Sequence, residues 1–163
     1  MNKMQSENIS SINDLLKKIK RLNRQKIYSY SVIGNIGPKE RAYMSRLADR
    51  GEIVKHSRGK FFKSGKSVYK SSDKSIAINK TMFTNDLFWS VGNGAEVKVD
   101  TLITRYIELP RFKDISALYH LFGYKRVLAT ALKHFKSRNN ERYILVRKEL
   151  EKCAQWSLND KRS

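Results

Sequence analysis

Cysteine, proline and acidic residues are all scarce in this chain of 163 residues. The single cysteine, Cys153, excludes an internal disulfide framework and a zinc site built from several cysteines, and it is typical of a reducing compartment. The N-terminus has Lys3 and Glu7 but no apolar segment behind them, and no run approaches the roughly 18 to 20 apolar residues that span a bilayer. We therefore expect a soluble, cytoplasmic protein that has no membrane segment.

The motifs of common enzymes are also missing from the sequence. There is no glycine-rich phosphate loop, and Gly92-Asn93-Gly94 lacks the further glycine and the strand–helix context of a dinucleotide site, so we interpret it as a turn. The histidines His56, His120 and His134 are isolated and lack the spacing of metal ligands. We expect no enzymatic activity, no cofactor and no bound metal.

Three aspartates in the second half of the chain leave one enzymatic alternative open. Asp86, Asp100 and Asp114 could converge as ligands for the metal of a nuclease. Each also stands where the N-cap of a helix is expected, because a short carboxylate accepts hydrogen bonds from the first free backbone N–H groups. Capping is the favoured interpretation.

The charge balance is strongly basic and unevenly distributed. The chain has 34 Lys and Arg against 15 Asp and Glu, a formal net charge of +19, and a sequence pI near 10.1. Residues 1–80 hold 19 basic and 6 acidic residues, whereas residues 81–163 hold 15 and 9. A generally basic proteome would explain the excess but not its clustering. The pattern favours a polyanionic partner, with nucleic acid as the leading candidate, bound by the N-terminal half.

Residues 1–64 show the order of elements of a winged helix-turn-helix domain. A helix with apolar residues at helical spacing follows Ser10 and Ser11 and ends near Asn23, and residues 30–33 form only a turn or two of helix. A second long helix starts at Pro38 and stops at Gly51. Strands at residues 52–55 and 60–63, joined by a tight turn with Gly59, then form a hairpin, the wing.

The remainder of the chain is more helical. We interpret residues 65–82 as a basic linker rich in Ser and Lys, although a short strand at residues 75–78 stays open. Residues 83–163 then predict an all-helical domain for partner binding or dimerisation, with helices at 100–107, 113–122, 124–135 and 140–156. The expected fold class is mainly α with a small β-hairpin. The first helix carries cations on faces away from its apolar stripe, namely Lys17, Lys18, Lys20 and Arg21.

Eight residues are candidates for binding duplex DNA. An α-helix fits the major groove, where arginine can form two hydrogen bonds to guanine, and the turn of a hairpin reaches the backbone or the minor groove. The alternative is that these side chains form a solvated face used for protein contacts. The helix supplies Lys39, Arg41, Ser45 and Arg46, and the wing supplies His56, Ser57, Arg58 and Lys60.

Two stretches carry a resemblance to known proteins. Met44 and Leu47, then Arg50-Gly51-Glu52-Ile53 and the segment from Ser57 to Phe62, resemble the winged-helix domain at the N-terminus of AbiEi-family antitoxins, in which a Gly-x-Ile strand and an Arg-Gly-x-Tyr/Phe wing follow the helix. Residues 84–135 resemble an uncharacterised helical module that recurs in proteins encoded beside nucleotidyltransferase toxins.

The resemblance implies an antitoxin-like transcriptional autorepressor of a toxin-antitoxin operon. It implies double-stranded DNA as one partner and a nucleotidyltransferase-type toxin as another. A homodimer is expected as well, because one winged helix covers only a short half-site. The alternative is a protein-interaction antitoxin that neutralises the toxin without binding DNA.

Overall fold

The structure is a computed structural model in which residues 11–160 are described, so Lys3, Glu7 and Ser10 lie outside the described residues. The chain divides into two compact units. Of the described residues, 11–65 and 155–160 form unit 1, and 66–154 form unit 2. The fold is mainly α with small antiparallel sheets, as expected for the class. No helix within residues 11–160 combines the length and the apolar character needed to cross a membrane.

Residues 11–65 of unit 1 contain two helices and a three-stranded sheet. The sheet is antiparallel in the order β1-β3-β2, so the first strand pairs with the last strand of the hairpin. In chain order the elements are α1 Ile12–Lys20, β1 Tyr28–Ser29, a 3-10 turn at Tyr30–Ile33, α2 Pro38–Asp49, β2 Val54–Ser57 and β3 Lys60–Phe62.

The core of unit 1 is formed by side chains of both helices, the 3-10 turn, β3 and the residue that precedes β2. Ser11 caps α1, since its side chain accepts a hydrogen bond from the backbone N of Asp14 at 3.3 Å. Helix α2 starts at Pro38. The first backbone N–H groups of a helix have no acceptor within the helix, so a proline at this position costs no hydrogen bond. The apolar core cluster of the unit consists of Leu15, Ile19, Ile33, Met44, Leu47, Ala48, Ile53 and Phe61. Burial of these side chains stabilises the unit by about 25 cal/mol per Å² of apolar surface removed from water.

Two lysines of unit 1 are buried, and one of them is Lys18, which was expected on a face away from the apolar stripe of α1. Nζ of Lys18 donates to the carbonyl O of Ile33 at 3.2 Å. Nζ of Lys63 donates to the carbonyls of Lys20 and Leu22 at 3.2 and 3.0 Å, and burial lowers the pKa of Lys63. These carbonyls belong to the end of α1 and to the 3-10 turn, where backbone acceptors lack helical partners.

Unit 2 consists of a strand pair and a set of helices. Strands β4 Ser75–Ala77 and β5 Glu96–Lys98 pair antiparallel, and a 3-10 turn lies at Lys80–Met82. The helices are α3 Val99–Ile107, α4 Phe112–Phe122, α5 Tyr124–Phe135 and α6 Glu141–Asp160, of which residues 155–160 group with unit 1. The core of unit 2 includes the buried side chains of Leu102, Ile103, Ile107, Ile115, Leu118, Leu121 and Val127, and Leu132 is half-buried.

The prediction of a linker at residues 65–82 is wrong, because most of this segment belongs to unit 2. Ile76 and Ile78 are buried while Ala77 and Asn79 are exposed, which is the period-two pattern of a strand with one covered face. The strand that stayed open at residues 75–78 is therefore present. Backbone N–H groups of Val68 and Tyr69 also bond to carbonyls at the end of α4, at 3.2 and 2.9 Å. The C-terminal unit consequently is not all-helical.

Candidate nucleic-acid interface

Helix α2 buries one face and exposes the face that carries the predicted contacts. Met44 and Leu47 are fully buried, whereas all four candidates on the helix are exposed to solvent. The helix start is fixed by Glu40, whose Oε2 accepts a hydrogen bond from the backbone N of Gly37 at 3.1 Å. The exposed set is Lys39, Arg41, Ser45 and Arg46, as the sequence predicted.

The hairpin that follows α2 turns sharply and bears a bulge. Gly59 has φ +70°, a left-handed conformation that other residues adopt only at a cost, and this allows the tight return of the chain. The pairing of β2 with β3 shifts between Lys55 and Ser57, so His56 is an extra residue in β2. A bulge re-aims the side chains around it. As a result Lys55, His56 and Ser57 are all exposed, where strict alternation would cover every second one.

A groove in unit 1 brings the helix and the wing together. Its volume is about 510 Å³, and five of the eight candidates line it. Lys39, Arg46 and Lys60 are exposed but lie outside the lining. The lining consists of Ser29, Tyr30, Ile36, Arg41, Ser45, Lys55, His56, Ser57, Arg58 and Gly59.

The groove is basic and contains no carboxylate in its lining. Nζ of Lys55 donates to Oγ of Ser45 at 3.3 Å, which links the wing to the helix. Partial burial raises the pKa of the Tyr30 phenol, and the nearby charge of Arg41 opposes that rise. Outside the groove, Nζ of Lys39 lies 5.8 Å from the ring centre of Tyr43. The arrangement presents cations and hydroxyl groups together, which are the side chains that contact phosphates and base edges.

The wing is attached firmly to the core. The ring of Phe61 is fully buried and lies 6.0 Å from that of Tyr28 and 5.8 Å from that of Tyr30. The backbone N of Tyr30 donates to the carbonyl O of Gly59 at 2.9 Å. The position of the basic side chains relative to α2 is therefore set by packing rather than by a free loop.

Five of the residues that line the groove were not predicted as contacts, and of these Gly59 was predicted only as the turn of the hairpin. Ser29, Tyr30 and Ile36 precede α2 in the chain and reach the groove only because β1 pairs with β3. Lys55 carries a charge and belongs to the predicted hairpin, but its direction depends on the bulge, which no local sequence pattern marks.

The alternative metal site is not assembled. Asp86 forms an ion pair with Lys80 at 2.9 Å, and Asp114 is buried and accepts from the backbone N of Thr84 at 2.7 Å. Within residues 11–160 there is no group of three or more His, Cys, Asp or Glu placed to hold a metal ion. The favoured role also needs correction, because Asp100 and Asp114 lie in the first turns of α3 and α4 rather than at their N-caps.

Comparisons with known proteins add no family to this geometry. No protein-family model, no curated protein and no solved structure matches the chain. The resemblance to AbiEi-family antitoxins therefore stays a prediction, and the case for the interface rests on the residues of unit 1.

Proposed function

We propose that the chain is a sequence-specific double-stranded DNA-binding protein, and that unit 1 is a winged helix-turn-helix domain. In this proposal α2 is the recognition helix and the β2–β3 hairpin is the wing. The succession of α1, β1, the 3-10 turn, α2 and the hairpin supports it, as does the pairing of β1 with β3.

The observation that carries the proposal is the shared groove of helix and wing. Arg41 and Ser45 of α2 line it together with His56, Ser57 and Arg58 of the hairpin, and no acidic side chain lines it. A duplex carries a negative charge about every 1.7 Å along its axis, so a basic surface of this kind is attracted to it. An exposed helix enters the major groove, which is about 12 Å wide.

Within this function Arg41 and Arg46 are assigned to base edges, with Ser45 between them on the exposed face. Arginine pairs with O6 and N7 of guanine, and each such pair discriminates by about 1–3 kcal/mol. The wing cations and Lys39 are assigned to phosphates, which set the register of the protein on DNA without reading sequence.

The biological role that we propose is that of an antitoxin-like autorepressor of a toxin-antitoxin operon, as the resemblance implies. A homodimer on paired half-sites about one helical turn apart would supply the affinity that one short half-site lacks. The cognate toxin, of nucleotidyltransferase type, is the proposed protein partner.

A gel shift with the duplex upstream of the chain's own gene tests DNA binding. The double variant Arg41→Glu/Arg46→Glu is expected to lose at least about thirtyfold in affinity, because two contacts of at least about 1 kcal/mol each are lost. Both side chains are exposed, so folding is retained. The matched control is Lys148→Glu, an exposed charge reversal in unit 2, which should bind as the parent does.

An affinity of the double variant within about threefold of the parent would refute the assignment of α2 to DNA. If the parent also bound no duplex while a purified cognate toxin bound both proteins equally, the antitoxin without DNA binding would be the better account. Circular dichroism spectra of the parent and both variants establish that the comparison is between folded proteins.

A further inference from the structure

Unit 2 presents an exposed tryptophan on a loop whose backbone is held firmly. Trp89 is 83% exposed. Its neighbours are fixed: Nζ of Lys80 donates to Oδ2 of Asp86 at 2.9 Å and to the carbonyl O of Phe88 at 2.8 Å. Oδ1 of Asp86 in turn accepts from the backbone N of Phe88 at 3.0 Å. An indole on such a loop adds exposed apolar surface without adding to the core, which is a feature of interaction sites.

Helix α3 holds the same loop from the other side. Nη1 of Arg105 donates to the carbonyl O of Leu87 at 2.9 Å, and its guanidinium lies 4.4 Å from the ring centre of Phe88. The hydroxyl of Tyr106 donates to the carbonyl O of Asn85 at 2.7 Å. A loop already ordered in the free protein loses little entropy when a partner binds, so Trp89 is suited to act as an anchor.

Further exposed apolar side chains lie where this loop is fastened to the helices. The hydrogen bond from Thr84 to Asp114 ties the start of the loop to the first turn of α4. The adjoining connection from α3 to α4 carries Leu109, which is 71% exposed, and ends at Phe112, the first residue of α4. These exposed residues are together called the Trp89 patch: the apolar residues Leu87, Trp89, Leu109 and Phe112, with the cations Arg105, Arg111 and Lys113.

The Trp89 patch carries three cations, and the acids next to it in sequence are paired or buried. Asp86 pairs with Lys80, Asp114 is buried, and Glu108 pairs with Arg142 at 2.7 Å and with His134. The three cations of the patch are exposed and form no ion pair with a carboxylate among residues 11–160.

Two of these cations occupy positions that do not favour the helix. Arg111 is the N-cap of α4 and Lys113 lies in its first turn. The start of a helix carries the positive end of its dipole, so cations there are destabilising by a few tenths of a kcal/mol. Their presence is therefore not explained by the stability of α4.

We propose that the Trp89 patch binds an acidic segment of a partner protein, with Trp89 as the apolar anchor and Arg111 and Lys113 as charge partners. A second copy of the chain fits less well, since a symmetric contact would bring the same cations face to face. A nucleic acid would stack on Trp89, but it fits less well over the rest of the patch, because the aliphatic Leu87 and Leu109 offer no planar surface on which successive bases stack. The proposal does not depend on DNA binding by unit 1.

A labelled peptide tests this binding in the full chain. The probe is a fluorescein-labelled peptide that repeats Glu-Leu-Glu-Phe, and its affinity is measured by fluorescence anisotropy. Trp89→Ala is expected to weaken binding at least about tenfold, as loss of an anchoring tryptophan does. Arg111→Glu/Lys113→Glu should weaken it similarly. This second variant places acids at a helix start, where they are favourable, so weaker binding would not result from unfolding of α4.

Two controls separate the Trp89 patch from the rest of the basic surface. Trp156→Ala changes the other tryptophan, which is 62% exposed in unit 1, and should leave peptide affinity unchanged. Arg41→Glu/Arg46→Glu should weaken duplex binding in the gel shift at least about thirtyfold but keep peptide binding. In a Trp156→Phe background Trp89 is the only tryptophan, and its emission should shift to shorter wavelength when the peptide binds.

Several results would overturn the proposal. Equal peptide affinity of the parent and Trp89→Ala is one. Tighter, Trp89-dependent binding of a Lys-Leu-Lys-Phe repeat, of a single-stranded oligonucleotide or of anionic lipid vesicles would assign the patch to a different partner class. Dimerisation in sedimentation experiments that is lost in Trp89→Ala, with no peptide binding by the parent, would assign it to a second copy.

Discussion

The salt dependence of DNA binding gives a quantitative test of the basic surface in unit 1. Each phosphate neutralised on B-DNA contributes about −0.9 to the slope of log Kobs against log salt concentration. If each of the four exposed cations assigned to phosphates meets one phosphate, together they contribute about −3.6 to the slope. The four are Lys39, Lys55, Arg58 and Lys60.

The informative perturbation is the double variant Arg58→Ala/Lys60→Ala at the wing. Both side chains are exposed, so the fold should tolerate their removal. The slope should become less steep by about 1.8, measured by anisotropy titrations of one duplex at several salt concentrations. The matched control, Lys133→Ala/Lys148→Ala, removes two exposed charges from unit 2 and should leave the slope unchanged.

This experiment distinguishes a defined interface from attraction by net charge alone. The net charge of +19 attracts this chain to DNA, wherever on its surface the charges lie. If the wing variant and the control variant changed the slope equally, the wing would have no special role. An unchanged slope in the wing variant would likewise refute the reasoning.

Three other predictions concern stability and reactivity. Gly59→Ala should destabilise unit 1 by about 1–2 kcal/mol in urea denaturation, because its φ of +70° is left-handed, whereas Gly59→Asn should cost less. Burial raises the pKa of the Cys153 thiol from 9.0 to about 11. Because only the thiolate reacts, iodoacetamide should alkylate Cys153 roughly a hundredfold more slowly than a free thiol of ordinary pKa. Full reactivity in the native protein would contradict the burial of this side chain. Tyr106→Phe should cost about 0.5–1.5 kcal/mol and loosen the loop at Asn85, seen as faster amide exchange there, and unchanged exchange would show that the hydroxyl is dispensable.

Local elements were predictable because their signals lie within a few residues of each other. Ser11, Pro38 and Gly123 mark helix boundaries by capping, by restricted φ and by positive φ, and the helices begin or end next to them. The four C-terminal helices were expected within a few residues of their observed bounds. The exposed face of α2 follows from helical periodicity alone.

Features that depend on distant pairing were not predictable in the same way. The segment at residues 65–82 looked like a linker because its sequence is polar, yet β4 pairs with β5 about twenty residues further on. Lys18 was expected away from the apolar stripe of its helix, but it is buried, and the carbonyl that accepts its hydrogen bond belongs to the 3-10 turn. In both cases the decisive partner is far away in sequence, and local periodicity carries no information on it.

The sequence by itself determined the basic charge, the succession of helices and strands, and which residues of α2 face solvent. The tertiary structure alone decided that Arg41, Ser45 and the wing share a groove, since this requires β1 to pair with β3 and a bulge at His56. It also decided that the loop of Trp89 is ordered, through hydrogen bonds from Lys80 and Arg105. Composition and periodicity act along the chain, whereas a site is formed by side chains that meet only after the chain has folded.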